Sequence, residues 1–538
     1  QAWLTASQRR DWRYWPRYQS LLERKMSIQT VEALDKITDN ILGLLENPLR
    51  EGHWDRRGLV VGHVQSGKTG NYTGLICKAA DAGYKIIIVL AGLHNNLRSQ
   101  TQIRLEEGFL GYQTQTETMV LTGVGEIDTD PAIRPNCATT RAENGDFNTR
   151  VANNYAITPE QRPWLFVVKK NKTVLKRLLK WIDVHVADMQ NNNGHRQVSS
   201  FPLLLIDDEA DHASVDTGEQ LFNADGTPDM EHEPRAINRL IRRILHSFTR
   251  KAYVGYTATP FANIFIHRQG ETGLEGPDLF PQAFIINLPA PSNYVGPTRL
   301  FGFRSHDGRS GALPCIREVH DHVDEEGNGG WMPFRHKISH IPLQNGKDEV
   351  PPSLREAVAS FILACAVRNL RGQENRHSSM LIHVTRFVAV QKEVHRQVEE
   401  LVRRFKQRIQ RGFDPDLLLE WKNLWEHDFI PVTCQSEQLL SGSGENFPIP
   451  DWEDIVAILP YILADISVRA INGTARDALD YADNETIGLK VIAIGGDRLA
   501  RGLTLEGLCV SYFVRTSRMY DTLMQMGRWF GYRPGYID

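Results

Sequence analysis

A glycine-rich stretch near the start of the chain has the residue types and spacing of a phosphate-binding loop. The stretch GHVQSGKT, residues 62–69, fits GxxxxGK[ST]. It follows an apolar run and precedes a helical pattern, which is the context this motif requires; a chance glycine-rich turn is the alternative. Such a loop turns backbone N–H groups toward phosphate oxygens, while its lysine supplies charge and its last hydroxyl faces Mg²⁺. We therefore expect ATP and Mg²⁺ to bind at Gly62, Gln65, Ser66, Gly67, Lys68, Thr69 and Gly70.

An acidic cluster follows a second apolar run. The sequence LLLI, 203–206, continues into DDEADH, 207–212. Strands of α/β sheets present ligand-binding residues at their carboxyl ends. We expect Asp208 to hold Mg²⁺, directly or through water, and Glu209 to orient and deprotonate the attacking water. A solvated acidic turn is the alternative. Strand register decides between Asp207 and Asp208, and Asp208 is preferred because 208–211 then spells DEAD.

Short apolar runs alternate with helical patterns from about residue 58 onward, and the two motifs lie at their ends. Continuous apolar runs are typical of a parallel sheet covered by helices on both faces. The predicted strands are 59–61, 86–90, 119–121, 165–168, 203–206 and 253–256, then 380–384, 466–470, 491–494 and 510–514. The predicted fold class is α/β with two parallel-sheet domains.

Ordered motifs resemble those of superfamily-two helicases and translocases, which carry two RecA-like domains. Beyond the phosphate loop and DEAD, TAT at 257–259 is similar to the motif that couples nucleotide state to the nucleic-acid site. Residues 495–504 are similar to the fifth motif, with its Arg-Gly turn, and 525–533 to the arginine-finger motif. The resemblance implies roles in nucleotide binding for Gly502 and Gln525 and in nucleic-acid binding for Thr257, Thr259 and Arg501.

The wording of these motifs is similar to one particular family, the Z-one domain family. The matching stretches are GHVQSGKTGN, IDDEADHAS, GYTATPFAN, GGDRLARGLTLEGL and MGRWFGYR. Proteins of that family are often labelled putative endonucleases and occur in bacterial defence gene clusters beside GHKL-type ATPases, methylases and nucleases. The resemblance implies an ATP-driven, DNA-acting component of such a system, with those proteins as partners.

The arginines of the last motif depart from the common pattern. Arg528 and Arg533 are five residues apart instead of three, with two aromatic residues directly after the first. Either guanidinium could reach the γ-phosphate and stabilise charge in the transition state. Arg528 is favoured, and a surface position is the alternative for Arg533. No adenine-reading glutamine motif precedes the phosphate loop, which disfavours RNA unwinding.

Two stretches are candidates for nucleic-acid contacts. The cluster that contains Lys170, Lys172 and Lys176 lacks an acid, and the last two share one helical face with Lys180. Backbone phosphates would suit it, although a solvated helix face is the usual reading of a charge run. Asn96 and Arg98 follow a predicted β-strand. In restriction-type motors, residues at this position bind the backbone of the nucleic-acid strand. A helix cap by Asn95 is the alternative there.

Composition narrows the class of protein. The 538 residues include 62 Lys+Arg and 65 Asp+Glu, for a net charge of −3, so any nucleic-acid binding depends on local basic patches. The six cysteines form no CxxC pair, which argues against a zinc ribbon or a disulfide scaffold. Scattered thiols, no apolar run of 18 residues and no signal-peptide core favour a cytoplasmic protein.

The predicted organisation has four parts. Residues 1–50 form an N-terminal helical region, 51–268 the first RecA-like domain and 269–352 an irregular insertion or linker. Residues 353–538 form the second RecA-like domain, with a helical insertion at about 412–465. The leading hypothesis is an ATPase motor or switch acting on DNA. An ATP-gated endonuclease and a nucleotide-switched scaffold for a partner remain open, although no separate nuclease motif is visible.

Overall fold

The computed structural model describes most of the chain in two units. The described residues are 3–63, 67–115, 118–148, 162–191, 194–215, 234–264, 266, 276–289, 294–305, 308–412, 414–439, 447–471, 481, 484, 486–496, 505–514, 530–532 and 535–536. Those up to 289 form the first unit and those from 294 form the second. No helix among these residues is long and apolar enough to cross a membrane.

The first unit contains nine strands and eight α-helices. The strands are β1 (Trp54–Val61), β2 (Ile86–Ala91), β3 (Asn136–Cys137), β4 (Trp164–Val168), β5 (Met189–Gln190), β6 (Arg196–Gln197), β7 (Leu203–Asp208), β8 (Arg250–Thr257) and β9 (Phe284–Asn287). The helices are α1 (Tyr14–Glu23), α2 (Ile28–Leu44), α3 (Lys68–Ala82), α4 (Asn95–Leu105), α5 (Val124–Ile127), α6 (Lys172–Trp181), α7 (Pro234–His246) and α8 (Phe261–Ile264). These counts cover the described part of the unit alone.

Seven of these strands form one parallel sheet in the order β3-β4-β2-β7-β8-β1-β9. Its central strands are buried on both faces, which is why they are continuous apolar runs. Alternate residues enter different cores: in β2, Ile87 and Val89 pack with α1, α2 and α3, whereas Ile86 and Ile88 pack with α6 and α7. The α/β class predicted from the sequence is confirmed.

The N-terminal helices α1 and α2 cover α3, the helix that follows the phosphate loop. Ser27 caps α2 by accepting the N–H of Thr30 at 3.3 Å. Asp81 of α3 accepts the N–H groups of Arg13, Tyr14 and Trp15 at 2.8–2.9 Å, so it caps α1 from outside. The Asp81 contacts join the N-terminal region to α3.

The second unit is built around a smaller parallel sheet in the order β14-β15-β13-β16. Its strands are β10 (Tyr294–Val295), β11 (Phe303–Ser305), β12 (Gly308–Ser310), β13 (Ser378–His383), β14 (Ile466–Ala470), β15 (Lys490–Ile494), β16 (Leu508–Phe513) and β17 (Gly531–Tyr532). Its helices are α9 (Pro297–Phe301), α10 (Pro352–Arg368), α11 (Val388–Gln410), α12 (Pro415–Leu424), α13 (Ile430–Leu439) and α14 (Trp452–Asp465). A core of its own packs α10, α11 and α14 against the sheet.

The strand predictions differ from the structure in both directions. Residues 119–121 form no strand: Leu121 makes one isolated bridge with Tyr112, and Met119 is exposed. Conversely, β9 lies inside the stretch predicted to be irregular. It is a short edge strand with alternating exposure, and its apolar run, 284–286, was not recognised as a strand because glycine and proline dominate the surrounding stretch.

Candidate nucleotide site at the carboxyl edge of the first sheet

The phosphate loop joins the buried strand β1 to helix α3. The N–H of Gly62 donates to the carbonyl of Thr257 at 2.9 Å, which ties the loop's start to the end of β8. Gly67 precedes α3 with φ at +86°, a left-handed conformation that favours glycine. Lys68 and Thr69 therefore occupy the first turn of a fifteen-residue helix, where free N–H groups attract anions. Gln65 and Ser66 lie outside the described residues.

The side chains that start α3 point into a polar environment. Lys68 Nζ donates to the carbonyl of His63 at 3.1 Å. Thr69 Oγ1 accepts a hydrogen bond from Arg104 at 3.3 Å. The Tyr72 hydroxyl, one turn further on, interacts with Thr69 and donates to Asp208 Oδ2 at 3.3 Å. Tyr72 thus connects the loop's hydroxyl group to the acidic strand end.

The register of β7 separates the two aspartates. Asp208 lies on the α3 side, beside Tyr72, whereas Asp207 accepts the Tyr253 hydroxyl at 2.7 Å on the other side. Burial raises the pKa of Asp208, and the ammonium groups of Lys68 and Lys170 act in the opposite direction. Asp208 is therefore the carboxylate that the structure brings toward the phosphate loop.

Residues 209–212 form a tight turn after β7, the acidic turn, which begins at Glu209. Its φ of +53° is unusual for a residue with a side chain and costs about 1 kcal/mol or more. The turn is held from both sides: the N–H of Ala210 donates to the carbonyl of Tyr256 at 2.9 Å, and the N–H of His212 donates to the carbonyl of Glu209 at 2.9 Å. The backbone therefore presents the Glu209 carboxyl group just beyond Asp208, partly exposed to solvent.

Asp211 joins this turn to the end of β8. Its carboxylate oxygens accept the hydroxyl groups of Thr257 at 2.8 Å and Thr259 at 2.6 Å. Both threonines are buried, at 0% and 6% exposure. Their hydroxyl groups are thus directed to the acidic turn, and contact with nucleic acid through them would require that turn to rearrange.

Three other candidate nucleic-acid residues are buried. Arg98 is fully buried and donates to the carbonyls of Thr140 (2.7 Å) and Ala142. Asn96 is also 0% exposed, and helix α4 begins after His94 without a side-chain cap. Lys170, fully buried as well, pairs with Asp207. Burial with internal partners removes Asn96, Arg98 and Lys170 from the surface on which the sequence placed them.

Helix α6 keeps its basic residues at the surface. Lys176, Arg177 and Lys180 are exposed and Lys172 is half-buried, while the opposite face packs Leu175 and Leu178 into the core. Asn171 caps this helix by accepting the N–H groups of Thr173 and Val174. Of the predicted nucleic-acid candidates, Lys172 and Lys176 are therefore placed where a phosphate backbone could reach them.

The remaining predicted site residues lie outside the described residues. They are Arg501, Gly502, Gln525, Arg528 and Arg533. Sequence reasoning also missed three polar residues of the site and misplaced a fourth. Tyr72, Arg104 and Tyr253 belong to no recognised motif, and Lys170 was assigned to a basic cluster at the surface. The available clue was Asp207, a charged residue in an apolar strand for which the sequence shows no partner.

The donor set fits Mg²⁺ held largely through water. A hydroxyl and one carboxylate, from Thr69 and Asp208, are joined through Tyr72, and Mg²⁺ keeps several waters when it binds nucleotide phosphates. Within the described part of the chain, no group of three His, Cys, Asp or Glu residues could hold an ion by itself.

Comparison with known proteins gives matches to solved structures and to one family. The helicase Lhr of Mycobacterium smegmatis bound to ssDNA and AMP-PNP has a TM-score of 0.39 and 12% identity, covering 88% of this chain and 42% of that one. Dbp5 of S. cerevisiae bound to RNA and ADP BeF3 has a TM-score of 0.38 and 12% identity, covering 95% and 86%. The ATP-dependent Type ISP restriction-modification enzyme LlaBIII bound to DNA has a TM-score of 0.36 and 12% identity, covering 96% and 26%.

All three TM-scores lie below 0.5, so these likenesses carry no inference about this chain. The chain spans less than half of the length of Lhr and about a quarter of that of LlaBIII. No curated protein matches. Residues 353–538 match the model of the Z1 domain, the family that the sequence motifs indicate.

Proposed function

We propose that the protein is an ATPase that acts on DNA as a motor or switch. The observation that carries the proposal is the convergence of two motifs at one sheet edge. The first turn of α3 carries Lys68 and Thr69. The end of β7 carries Asp208, with Glu209 directly after it, and the Tyr72 hydroxyl lies between the two motifs. This is the arrangement that nucleotide hydrolysis needs.

Each residue has a role that follows from its chemistry. The N–H groups at the start of α3, with Gly62, Gly67 and Gly70 nearby, cradle the phosphates, and Lys68 stabilises their negative charge. Glu209 accepts the proton of the attacking water from its position beyond Asp208. Mg²⁺, when bound, neutralises phosphate charge, and Thr69 with Asp208 would hold it.

DNA is the proposed partner of the basic face of α6. Lys172, Lys176 and Lys180 recur at four-residue spacing, which places them on one face of that helix, and lysines bind backbone phosphates. The hydroxyl bonds from Thr257 and Thr259 to Asp211 offer a route by which events at the acidic turn reach the end of β8. A place beside other proteins of a cytoplasmic bacterial defence system is part of the proposal and rests on what the motif resemblance to the Z-one family implies; the Z1 match covers residues 353–538.

The test is steady-state ATP hydrolysis by the wild type, Glu209→Gln and Lys68→Ala. Loss of the general base should lower kcat by about 10²-fold or more while nucleotide binding persists. Loss of Lys68 should weaken nucleotide binding as well. Glu143→Gln and Lys36→Ala, both at exposed positions of the first unit, are the matched controls and should behave as the wild type. Equal rates in the wild type and Glu209→Gln would refute an ATPase at this site.

The DNA part is tested in the same assay with single-stranded DNA, duplex DNA, RNA and supercoiled plasmid. Stimulation by DNA that disappears in Glu209→Gln is the expected result. An unchanged rate with every nucleic acid would contradict the motor. Metal-dependent plasmid nicking that survives in Glu209→Gln would favour the endonuclease alternative.

A further inference from the structure

Lys170 lies in the interior, directly behind the acidic turn. Its side chain is 0% exposed, and Nζ lies 2.7 Å from Asp207 Oδ1, 2.7 Å from the carbonyl of Glu209 and 3.1 Å from the carbonyl of His212. The ammonium donates hydrogen bonds to the two carbonyls and forms an ion pair with Asp207. The two carbonyls lie at the two ends of the turn.

The backbone that carries Lys170 is itself held in place. Its N–H donates to the carbonyl of Gly92, just after β2, at 2.7 Å. The next residue, Asn171, caps α6 through its side chain. The ammonium is therefore fixed between a strand end and a helix start, and the acidic turn is fixed to the ammonium.

Asp207 supplies the charge that makes this burial possible. It is 0% exposed, and the Tyr253 hydroxyl donates to its second oxygen at 2.7 Å. A buried ammonium without a paired carboxylate would be strongly unfavourable. The side chain of Asp207 thus pairs with Lys170. This pair lies on the opposite side of β7 from Tyr72 and the phosphate loop.

The turn needs such an anchor because its backbone is strained. Glu209 and Ala213 both have left-handed φ angles, +53° and +57°, although neither is glycine. Such conformations persist where surrounding contacts over-determine them. The Glu209 carbonyl accepts from Lys170 and from the N–H of His212, so the residue proposed as general base is the one that the anchor grips.

We propose that Lys170 is a positioning residue for ATP hydrolysis: it holds the acidic turn so that the Glu209 carboxylate faces the attacking water. The inference rests on the proposed function, and it assigns to a lysine of the basic cluster a role inside the catalytic machinery. Lys170 itself touches neither nucleotide nor water in this role.

The key variant is the double substitution Lys170→Met with Asp207→Asn. It removes both charges together, so no unpaired charge remains buried, and the amide oxygen can still accept from Tyr253. The single variant Lys170→Met leaves Asp207 unpaired and reports the stability cost. Lys251→Met removes a lysine from the other end of β8, away from the turn, and serves as the control.

Two measurements separate positioning from stability. Hydrogen exchange of the amides of residues 209–214 should speed up in the double variant, because the turn loses its anchor, and should stay as in the wild type in Lys251→Met. In the double variant kcat should fall by about 10²-fold, with KM for ATP and fluorescent-nucleotide affinity changed by no more than about twofold.

The outcomes are distinct. Wild-type exchange in the double variant would overturn the anchor, and faster exchange with unchanged kcat would overturn its role in hydrolysis. If the wild type itself hydrolyses no ATP, the proposed function fails, and the catalytic role of Lys170 fails with it. The exchange rates then decide independently whether Lys170 anchors the turn.

Discussion

The residues around the acidic turn are closely packed, and Gly255 shows this most directly. Gly255 of β8 lies under the turn, where an added Cβ would be 2.9 Å from the methyl carbon of Ala210 and 3.1 Å from a methyl carbon of Leu59. The Ala210 backbone is fixed by its hydrogen bond to Tyr256, so it cannot move away without disturbing Glu209. The missing side chain at residue 255 is thus part of the site's construction.

Gly255→Ala should therefore destabilise the protein and slow ATP hydrolysis. Overpacking of this kind costs about 1–3 kcal/mol in the free energy of unfolding. Urea unfolding and kcat measure the two effects. Gly43→Ala is the control, because nothing lies within 4 Å of its new methyl group on α2, and there alanine should stabilise the helix by up to about 1 kcal/mol. Unchanged stability in Gly255→Ala would show that the turn is looser than the contacts imply.

The β-strands were predicted most reliably where the sequence contains a long, continuous run of apolar residues. Continuous apolar runs predicted the central strands β2, β4, β7 and β8 because both of their faces are buried. The edge strand β9 has only a short apolar run, 284–286, within a stretch rich in glycine and proline, and residues 119–121 have such a run without pairing in a sheet. Motif spacing predicted the phosphate loop and the acidic turn. The contact between Lys170 and Asp207 could not be predicted, because no local sequence pattern shows which charged residue faces Asp207.

The docking of helix α1 onto α3 should depend on pH through Asp81. Burial raises the pKa of Asp81 to about 6, although three backbone N–H groups act against the shift. Because the folded protein then binds this proton more tightly than the unfolded chain, the stabilisation is complete below the unfolded pKa near 4. It is lost as the pH rises through 6, and two pKa units correspond to about 3 kcal/mol.

The measurement is urea unfolding of the wild type and Asp81→Asn from pH 4 to pH 7. The free energy of unfolding of the wild type relative to the variant should decrease by up to about 3 kcal/mol over that range. Asp11→Asn, at an exposed position just before α1, should show no such trend. A difference that stays constant with pH would mean that Asp81 remains ionised throughout.

For the whole molecule, the charge balance dictates how DNA could be bound. A net charge of −3 provides no overall attraction to a polyanion, so binding must come from a local surface. The exposed lysines of α6, Lys176 and Lys180, meet this requirement because their helix buries its apolar face and turns its basic face to solvent.

Reversing both charges, Lys176→Glu with Lys180→Glu, should weaken DNA binding and reduce its dependence on salt. If both lysines contact phosphates, the slope of log K against log salt should become shallower by about 2. Arg10→Glu with Lys36→Glu changes the net charge equally at exposed N-terminal positions and is the control. Fluorescence anisotropy with duplex DNA at several salt concentrations measures the DNA affinity and its salt dependence for each variant. Equal weakening in the two double variants would mean that net charge, not the α6 surface, governs binding, whereas a loss confined to the first would locate the DNA on α6.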